Sequence, residues 1–133
     1  MQYYIEKDKK NIHIKEIMAL LKQSYWAKNR TEETVKKSIE NSLCYYVIEI
    51  DTEKLIGFAR VITDWATTYY LCDVIVDEEY RGNRIGKTMV QTITEDEALK
   101  KLRGLLLTRD AHNLYEAYGF FRDTEGCMQH NPE

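Results

Sequence analysis

A short segment of the chain concentrates residues that can bind an anion. The segment YRGNRIGK follows the apolar run YYLCDVIV and precedes the helical pattern TMVQTITEDEAL. A helix N-terminus presents unpaired N–H groups and a partial positive charge, so a strand-to-helix junction attracts anions. Gly82 and Gly86 allow close backbone approach to a ligand. Arg81, Arg84 and Lys87 add positive charge, which matches a diphosphate better than a single carboxylate. The alternative is a solvated, capped helix start.

Other phosphate motifs and several ligand classes are disfavoured. The sequence contains neither G-x-x-x-x-G-K-[ST] nor G-x-G-x-x-G, so we expect neither a P-loop nor a dinucleotide-binding fold. Its 19 Lys and Arg residues against 22 Asp and Glu residues give a net charge of −3, which argues against nucleic-acid or anionic-membrane binding. The three cysteines form no C-x-x-C pair, which predicts free thiols, no metal and a reducing, cytoplasmic location. No apolar run is long enough to span a bilayer.

The elements of the first half follow from apolar periodicity and turn residues. The length of 133 residues fits a single domain over residues 1–133. We expect a strand at Gln2–Lys7, a helix from about Asn11 to Ser24 and a second helix capped by Thr31. The segments CYYVIEI and LIGFARVIT, joined by the turn DTEK, predict an antiparallel hairpin.

The second half supplies the strands and helices around the junction. The run YYLCDVIV is apolar on both faces and predicts a central strand covered on both sides. After the junction we expect a helix, the short buried strand GLLLT, a helix ended by Gly119 and a closing strand in FFRDTEGCMQHN. The order β-α-α-β-β-β-α-β-α-β predicts an α/β fold, with a mixed, mostly antiparallel central sheet and helices on both faces.

The junction, together with its preceding strand, resembles a known cofactor-binding segment. VIVDEEYRGNRIGKTMV is similar to the acetyl-CoA-binding segment of the GCN5-related N-acetyltransferases, the GNAT family. That pattern is Arg or Gln, two residues, Gly, one residue, and Gly or Ala. Arg81 matches its first position and Gly86 its last, while Arg84 replaces the middle glycine. That position offers a backbone N–H, which any residue except proline supplies if the turn tolerates its Cβ.

A second segment resembles the other signature of the same family. In AHNLYEAYGF, an alanine precedes a tyrosine by four residues and a Gly-Phe pair follows it by four. Ala111, Tyr115, Gly119 and Phe120 fit this frame, while Thr108 stands where the family usually has asparagine. The element order agrees with the GNAT fold over nearly the whole chain, apart from an abbreviated C-terminal end.

The resemblance implies where acetyl-CoA binds. Strand Leu71–Val76 would bind the pantetheine arm through backbone groups, and it would diverge from strand Gly104–Thr108 to admit the cofactor. A backbone N–H near Val74 or Ile75 would face the acetyl oxygen. The cofactor-binding residues expected on this basis are Val74, Val76, Arg81, Gly82, Asn83, Arg84, Ile85, Gly86, Lys87 and Thr88.

Tyr115 is the candidate general acid. Its place in the second signature suits protonation of the departing thiolate. Since an ordinary tyrosine pKa is about 10 and a thiol pKa about 8.5, this proton transfer is modestly uphill. The alternative is that Tyr115 only packs in the core with Leu114 and Tyr118. His112, or an ordered water, could also carry a proton.

Asp73 is the candidate general base. We expect it on a strand face shared with Leu71 and Ile75, where burial would raise its pKa toward a useful value. The alternative is a structural hydrogen bond to Arg60 or Arg109, and the sequence leaves the two interpretations open.

Tyr25, Trp26 and Asp64 are the expected acceptor-binding residues. The loop SYWAKNRT would wall the acceptor site with its aromatic rings, together with Asn29 and Arg30. Asp64 could hold a cationic acceptor, so that the pocket would be acidic and aromatic and would suit a small amine. The alternative is that these aromatic rings pack on the second helix.

The sequence therefore predicts an acetyl-CoA-dependent N-acetyltransferase that acts on a primary amine of a small molecule or protein. Family habit also implies a homodimer. A non-catalytic acyl-CoA-binding sensor on the same fold is the alternative, although a pure binder would not need Tyr115. A nucleotide-binding regulator is a more distant third.

Overall fold

Five strands form one sheet in the computed structural model, which describes residues 1–133. They are β1 (Tyr3–Lys7), β2 (Leu43–Glu49), β3 (Leu55–Thr63), β4 (Thr68–Val76) and β5 (Arg103–Leu106). The strands lie in chain order, with antiparallel pairing from β1 to β4 and parallel pairing between β4 and β5. The sheet is therefore mixed and mostly antiparallel, as the sequence predicts, and β2 and β3 form the expected hairpin.

Helices cover both faces of this sheet. They are α1 (Ile14–Leu21), α2 (Glu32–Glu40), α3 (Ile85–Thr94) and α4 (His112–Glu116), and a 3₁₀ turn over Glu78–Tyr80 precedes α3. One buried cluster joins α1 and α2 to one face of the sheet, and a second joins α3 and α4 to the other. The α/β architecture with helices on both faces is confirmed.

Local capping sets the start of the first two helices. Thr31 caps α2 as predicted, because its side-chain oxygen accepts a hydrogen bond from the N–H of Thr34 at 3.2 Å. Helix α1 is shorter than the sequence predicted. The side chain of His13 accepts the N–H of Lys15 at 3.1 Å and caps the helix immediately before Ile14.

The predicted closing strand is wrong. Residues 120–133 form turns and irregular structure, with Phe121 and Met128 exposed to solvent. The carboxylate of Asp123 accepts the N–H of Gly126 at 2.8 Å, which forms a tight turn inside the segment. The segment also lacks the apolar alternation that holds a strand against a core.

A β-bulge at Asp73 changes which side chains of β4 share a face. Residues 58–60 of β3 oppose residues 72–75 of β4, so β4 has one residue more than its partner. Asp73 has a left-handed φ of 53° at this point. The extra residue reverses the alternation, so Leu71 packs beneath α3 whereas Ile75 packs beneath α1. The expectation that Leu71 and Ile75 share a face is therefore wrong.

Half-buried positions alternate with buried ones along β4. The prediction of a strand fully covered on both sides is therefore wrong. Four of the half-buried positions, Tyr70, Cys72, Val74 and Val76, line an open cleft.

Candidate functional site

A cleft opens where β4 and β5 stop pairing. The two strands are hydrogen-bonded from Thr68 and Arg103 to Leu71 and Leu106, and β4 continues beyond the end of β5 to Val76, paired there only with β3. The cleft has a volume of about 1240 Å³ and extends from the start of α3 to the loop between α1 and α2. The divergence of the strands agrees with the expectation from the sequence.

The start of α3 forms one end of the cleft. Arg84 is its N-cap residue, with a left-handed φ of 61° and no side-chain hydrogen bond that caps the helix. The position therefore tolerates the Cβ of an arginine in a conformation that glycine adopts more readily. Because no side chain caps α3, its first N–H groups remain available to an anion.

Most of the expected cofactor-binding residues line this cleft. They are Val74, Val76, Arg81, Gly82, Arg84, Ile85, Gly86 and Lys87. The side chain of Ile85 is buried in the core, so only its backbone can face a ligand.

Asn83 and Thr88 do not line the cleft. The side-chain amide of Asn83 donates to the carbonyl of Tyr80 at 2.9 Å and holds the loop in shape. The N–H of Thr88 donates to the carbonyl of Arg84 at 3.0 Å and closes the first turn of α3. Both residues therefore stabilise the backbone of the junction without lining the cleft.

Tyr115 belongs to the core and also reaches the cleft wall. It is 9% exposed and packs edge-on against Phe120, with ring centroids 5.9 Å apart. Burial raises the pKa of Tyr115 to about 12, with smaller contributions from Asp110 and Tyr25. Proton transfer to a thiolate is therefore further uphill than an ordinary tyrosine pKa predicts. His112, by contrast, does not line the cleft.

Asp73 is held by three donors. Its Oδ1 accepts from Trp26 Nε1 at 2.9 Å, and its Oδ2 accepts from Arg30 at 2.7 Å and from Arg60 at 2.8 Å. Burial acts to raise the pKa of Asp73, but the hydrogen bonds from the two arginines outweigh it and lower the pKa below its ordinary value. The expected rise in pKa is therefore wrong, and the geometry favours the structural alternative.

The sequence offered Arg60 or Arg109 as a hydrogen-bond partner of Asp73. The bond from Arg60 is present, whereas Arg109 makes a different contact. The guanidinium carbon of Arg109 lies 3.9 Å from the ring centroid of Tyr25, in a cation–π contact. Tyr25 in turn meets Trp26 edge-on, with centroids 5.0 Å apart. Tyr25, Trp26 and Arg30 line the cleft as expected, whereas Asn29 does not.

Asp64 lies outside the cleft, so its predicted acceptor-binding role is not supported. Its carboxylate accepts the N–H groups of Ala66 and Thr67 at 2.9 and 2.8 Å and the hydroxyl of Thr67 at 2.6 Å. The residue instead closes the turn between β3 and β4, as aspartate commonly does at turns.

The cleft is basic rather than acidic, contrary to the sequence expectation. Its basic lining residues are Arg30, Arg60, Arg81, Arg84, Lys87 and Arg109, and its acidic ones are Asp73 and Asp110. Sequence reasoning did not identify Arg60 and Arg109 as cleft residues. An arginine inside the otherwise apolar strand LIGFARVIT was a usable signal, because such a charge needs a partner or a ligand.

The chain contains no group of three or more His, Cys, Asp or Glu side chains placed to hold a metal ion. None of its helices has the length and apolar character that crossing a membrane requires.

Comparisons with known proteins agree with this architecture. The model of the Acetyltransferase (GNAT) family matches residues 14–120. Over 76 residues the chain is 34% identical to GCN5-related N-acetyltransferase 2, chloroplastic, of Arabidopsis thaliana, and the match covers 56% of this chain but only 30% of that relative's length.

Two solved structures extend the comparison to nearly the whole chain. A protein assigned to the GNAT family from Xanthomonas campestris pv. campestris superposes with a TM-score of 0.89 and 31% identity, covering 99% of this chain and 94% of the other. A predicted acetyltransferase from Clostridium acetobutylicum, solved with acetyl-CoA, shares the fold with a TM-score of 0.69 and 14% identity, covering 98% and 96% of the two chains.

Proposed function

The chain belongs to the GNAT acetyltransferase family, and from this membership we propose that it transfers the acetyl group of acetyl-CoA to a primary amine. The observation that carries the proposal is the cleft between β4 and β5, which joins the uncapped start of α3 to the wall containing Tyr115. The acetyl-CoA in the Clostridium acetobutylicum structure of the same fold supports the choice of cofactor. We further propose that residues 1–133 act as a single acetyl-CoA-binding domain.

The residues around α3 fit a diphosphate. Arg81, Arg84 and Lys87 place three positive charges beside a helix start that no side chain caps. A Cβ added at Gly82 would meet no atom within 4 Å, and one added at Gly86 would meet only Val76 and Leu114, at 3.9 and 4.0 Å. The fold's own packing therefore leaves room at both glycines, and that room is available to a ligand.

The chemistry needs one bond formed, one bond broken and one proton moved. When bound, acetyl-CoA supplies an acetyl thioester, so that attack by the amine forms a C–N bond, breaks the C–S bond and leaves one proton to pass from the amine to the sulfur. Tyr115 holds a proton at its phenolic oxygen across neutral pH, because its pKa is about 12. The gap of about 3.5 pKa units from a free thiol corresponds to about 5 kcal/mol, so Tyr115 assists mainly by donating a hydrogen bond.

Asp73 takes a positioning role in this scheme. Its carboxylate is fully engaged and its pKa is lowered, which makes it a poor proton acceptor at neutral pH. It fixes the loop between α1 and α2 against β4. The amine proton leaves to water in the open cleft.

An assay of thiol release from acetyl-CoA over a panel of primary amines tests the proposal. We expect turnover of at least one amine and a loss of up to about 10²-fold in kcat for Tyr115→Phe, the low end of general acid catalysis. Tyr118→Phe is the matched control, because Tyr118 packs against the same cluster without lining the cleft. Tight acetyl-CoA binding with no turnover, and no effect of Tyr115→Phe on that binding, would favour the non-catalytic sensor instead.

A further inference from the structure

The loop between α1 and α2 meets β3 and β4 in a cluster of charges at the end of the cleft away from α3. We call this set the acceptor-side cluster: Trp26, Arg30, Arg60 and Asp73. Asp73 is 4% exposed and receives hydrogen bonds from the other three members. All four residues line the cleft. The cluster is therefore a preformed polar wall and not a solvated surface patch.

The cluster carries one positive charge more than Asp73 neutralises. Arg30 and Arg60 bring two charges, and Asp73 supplies one in return. The side chain of Arg60 is only 12% exposed and that of Arg30 28%. A partly buried cation without a compensating charge is costly unless a ligand supplies the missing anion.

The two guanidinium groups also have unused donors that solvent can reach. Arg30 uses one N–H on Asp73, and Arg60 uses its Nε on Asp73 and one terminal nitrogen on Ser42 at 3.1 Å. A guanidinium has five N–H donors. No buried side-chain nitrogen or oxygen lacks a hydrogen-bond partner, so the unbonded nitrogens of Arg30 and Arg60 must be accessible. Both residues also line the cleft, so their unused donors belong to side chains of its wall.

Arg109 adds a third cation on the same side. It stacks on Tyr25, which contacts Trp26 of the cluster, and it forms no salt bridge. The three cations of the α3 end, Arg81, Arg84 and Lys87, are the ones that the proposed cofactor's diphosphate would occupy. The acceptor side therefore keeps its own positive charge when that end is filled.

We propose that the acceptor amine carries an anionic oxygen group, a carboxylate or a phosphate, which binds the unused donors of the acceptor-side cluster. The inference rests on the proposed function and narrows its acceptor class. Arg30 and Arg60 offer planar, charge-assisted donors, which match the two oxygens of a carboxylate or a phosphate. A simple cationic amine without such a group finds no free counter-charge within the acceptor-side cluster, because both oxygens of Asp73 are already engaged.

Trp26 provides a direct readout of binding at the cluster. The chain has two tryptophans, and the other, Trp65, is exposed in the turn between β3 and β4. In a Trp65→Phe protein, fluorescence therefore reports on Trp26 alone. We would titrate this protein with two matched pairs, glycine against glycinamide and O-phosphoethanolamine against ethanolamine. The first pair tests whether the cluster binds a carboxylate, and the second tests whether it binds a phosphate.

We expect the member that carries the carboxylate or phosphate, in at least one pair, to bind at least about tenfold more tightly than the member that lacks this group, the effect of one charge-assisted hydrogen bond. Arg30→Gln should remove this preference and Arg30→Lys should retain part of it. Arg122→Gln is the control, because it removes one positive charge on the surface, away from the cleft. Equal binding of the members of both pairs, or no fluorescence response to any of the four compounds, would overturn the inference.

The same protein titrated with acetyl-CoA separates this inference from the proposed function. Absence of acetyl-CoA binding would contradict the proposed function, whereas the anion preference of the cluster is measured without cofactor and is a separate result. Acetyl-CoA binding with no preference for the anionic compounds would overturn the inference alone.

Discussion

Replacement of Asp73 by asparagine distinguishes a structural carboxylate from a general base. The substitution keeps the shape of the side chain and an oxygen for Trp26, but it removes the charge that compensates Arg30 and Arg60. If Asp73 holds the loop between α1 and α2, the main effect of Asp73→Asn is on folding stability. If Asp73 is a base, the main effect is on kcat.

The expected loss of folding stability follows from the burial of the charged side chains of Asp73, Arg30 and Arg60. Removing one partner of a fully buried ion pair costs about 3–5 kcal/mol. Because the side chain of Arg30 is 28% exposed, water relieves part of this cost, and we expect a loss of about 2–4 kcal/mol in the free energy of unfolding. In urea this lowers the unfolding midpoint by about 1–2 M at a typical slope for a small protein.

The pH dependence has a defined sign. The pKa of Asp73 is lower in the folded protein than its ordinary value of 3.8, so the stabilisation it provides is present above that value and is lost as the pH falls through the folded pKa. The stability difference between the parent and Asp73→Asn should therefore shrink as the pH falls below 4. Urea unfolding at pH 7 and again below pH 4 measures this difference.

Asp51→Asn is the control, because Asp51 is an exposed carboxylate outside the cleft that forms no side-chain hydrogen bond or salt bridge. Its unfolding midpoint should match that of the parent. The reasoning is refuted if Asp73→Asn unfolds at the parent's midpoint while its kcat falls more than about a hundredfold, since that pattern belongs to a general base.

Three further outcomes are expected. The rate difference between the parent and Tyr115→Phe should persist to pH 10 in a pH–rate profile, because the pKa of Tyr115 is about 12; loss of the difference near pH 8 would contradict this. Gly57→Ala should lower the free energy of unfolding by about 1–3 kcal/mol, since the added Cβ would lie 2.9 Å from a side-chain carbon of Val47. An unchanged thermal unfolding midpoint would contradict this close packing of β2 against β3. Asp64→Ala should leave the KM for the amine unchanged. A large rise in this KM would indicate that Asp64 does bind the acceptor.

The features predictable from the sequence were those encoded by neighbouring residues. The junction around Gly82 and Gly86, the hairpin of β2 and β3 and the cap at Thr31 each depend on a few adjacent positions. Tyr115 also fell in the wall of the cleft as its local signature implied. What its burial does to its pKa depends on residues packed around it, and the sequence did not show that.

The environment of Asp73 was predictable only in part for the same reason, since Arg60 was among the partners expected from the sequence whereas Arg30 and Trp26 were not. Its partners Arg30 and Arg60 come from separate segments of the chain, and the β-bulge that turns Asp73 toward them depends on the pairing of β3 with β4. The predicted closing strand failed because the polar residues that follow the two phenylalanines form a turn.

Calorimetric titration with acetyl-CoA tests the central claim most directly, on the parent protein and on an Arg81→Ala, Gly86→Val double variant. A Cβ at Gly86 makes only contacts of 3.9 and 4.0 Å, and thermal unfolding would verify that the variant, with the two further methyl groups of valine, keeps the fold. We predict that the parent binds acetyl-CoA and that the variant binds it at least about tenfold more weakly, as expected when a charged contact is lost and the glycine's open space is filled. An absence of binding to the parent, or equal binding to a folded variant, would contradict the assignment of the cleft.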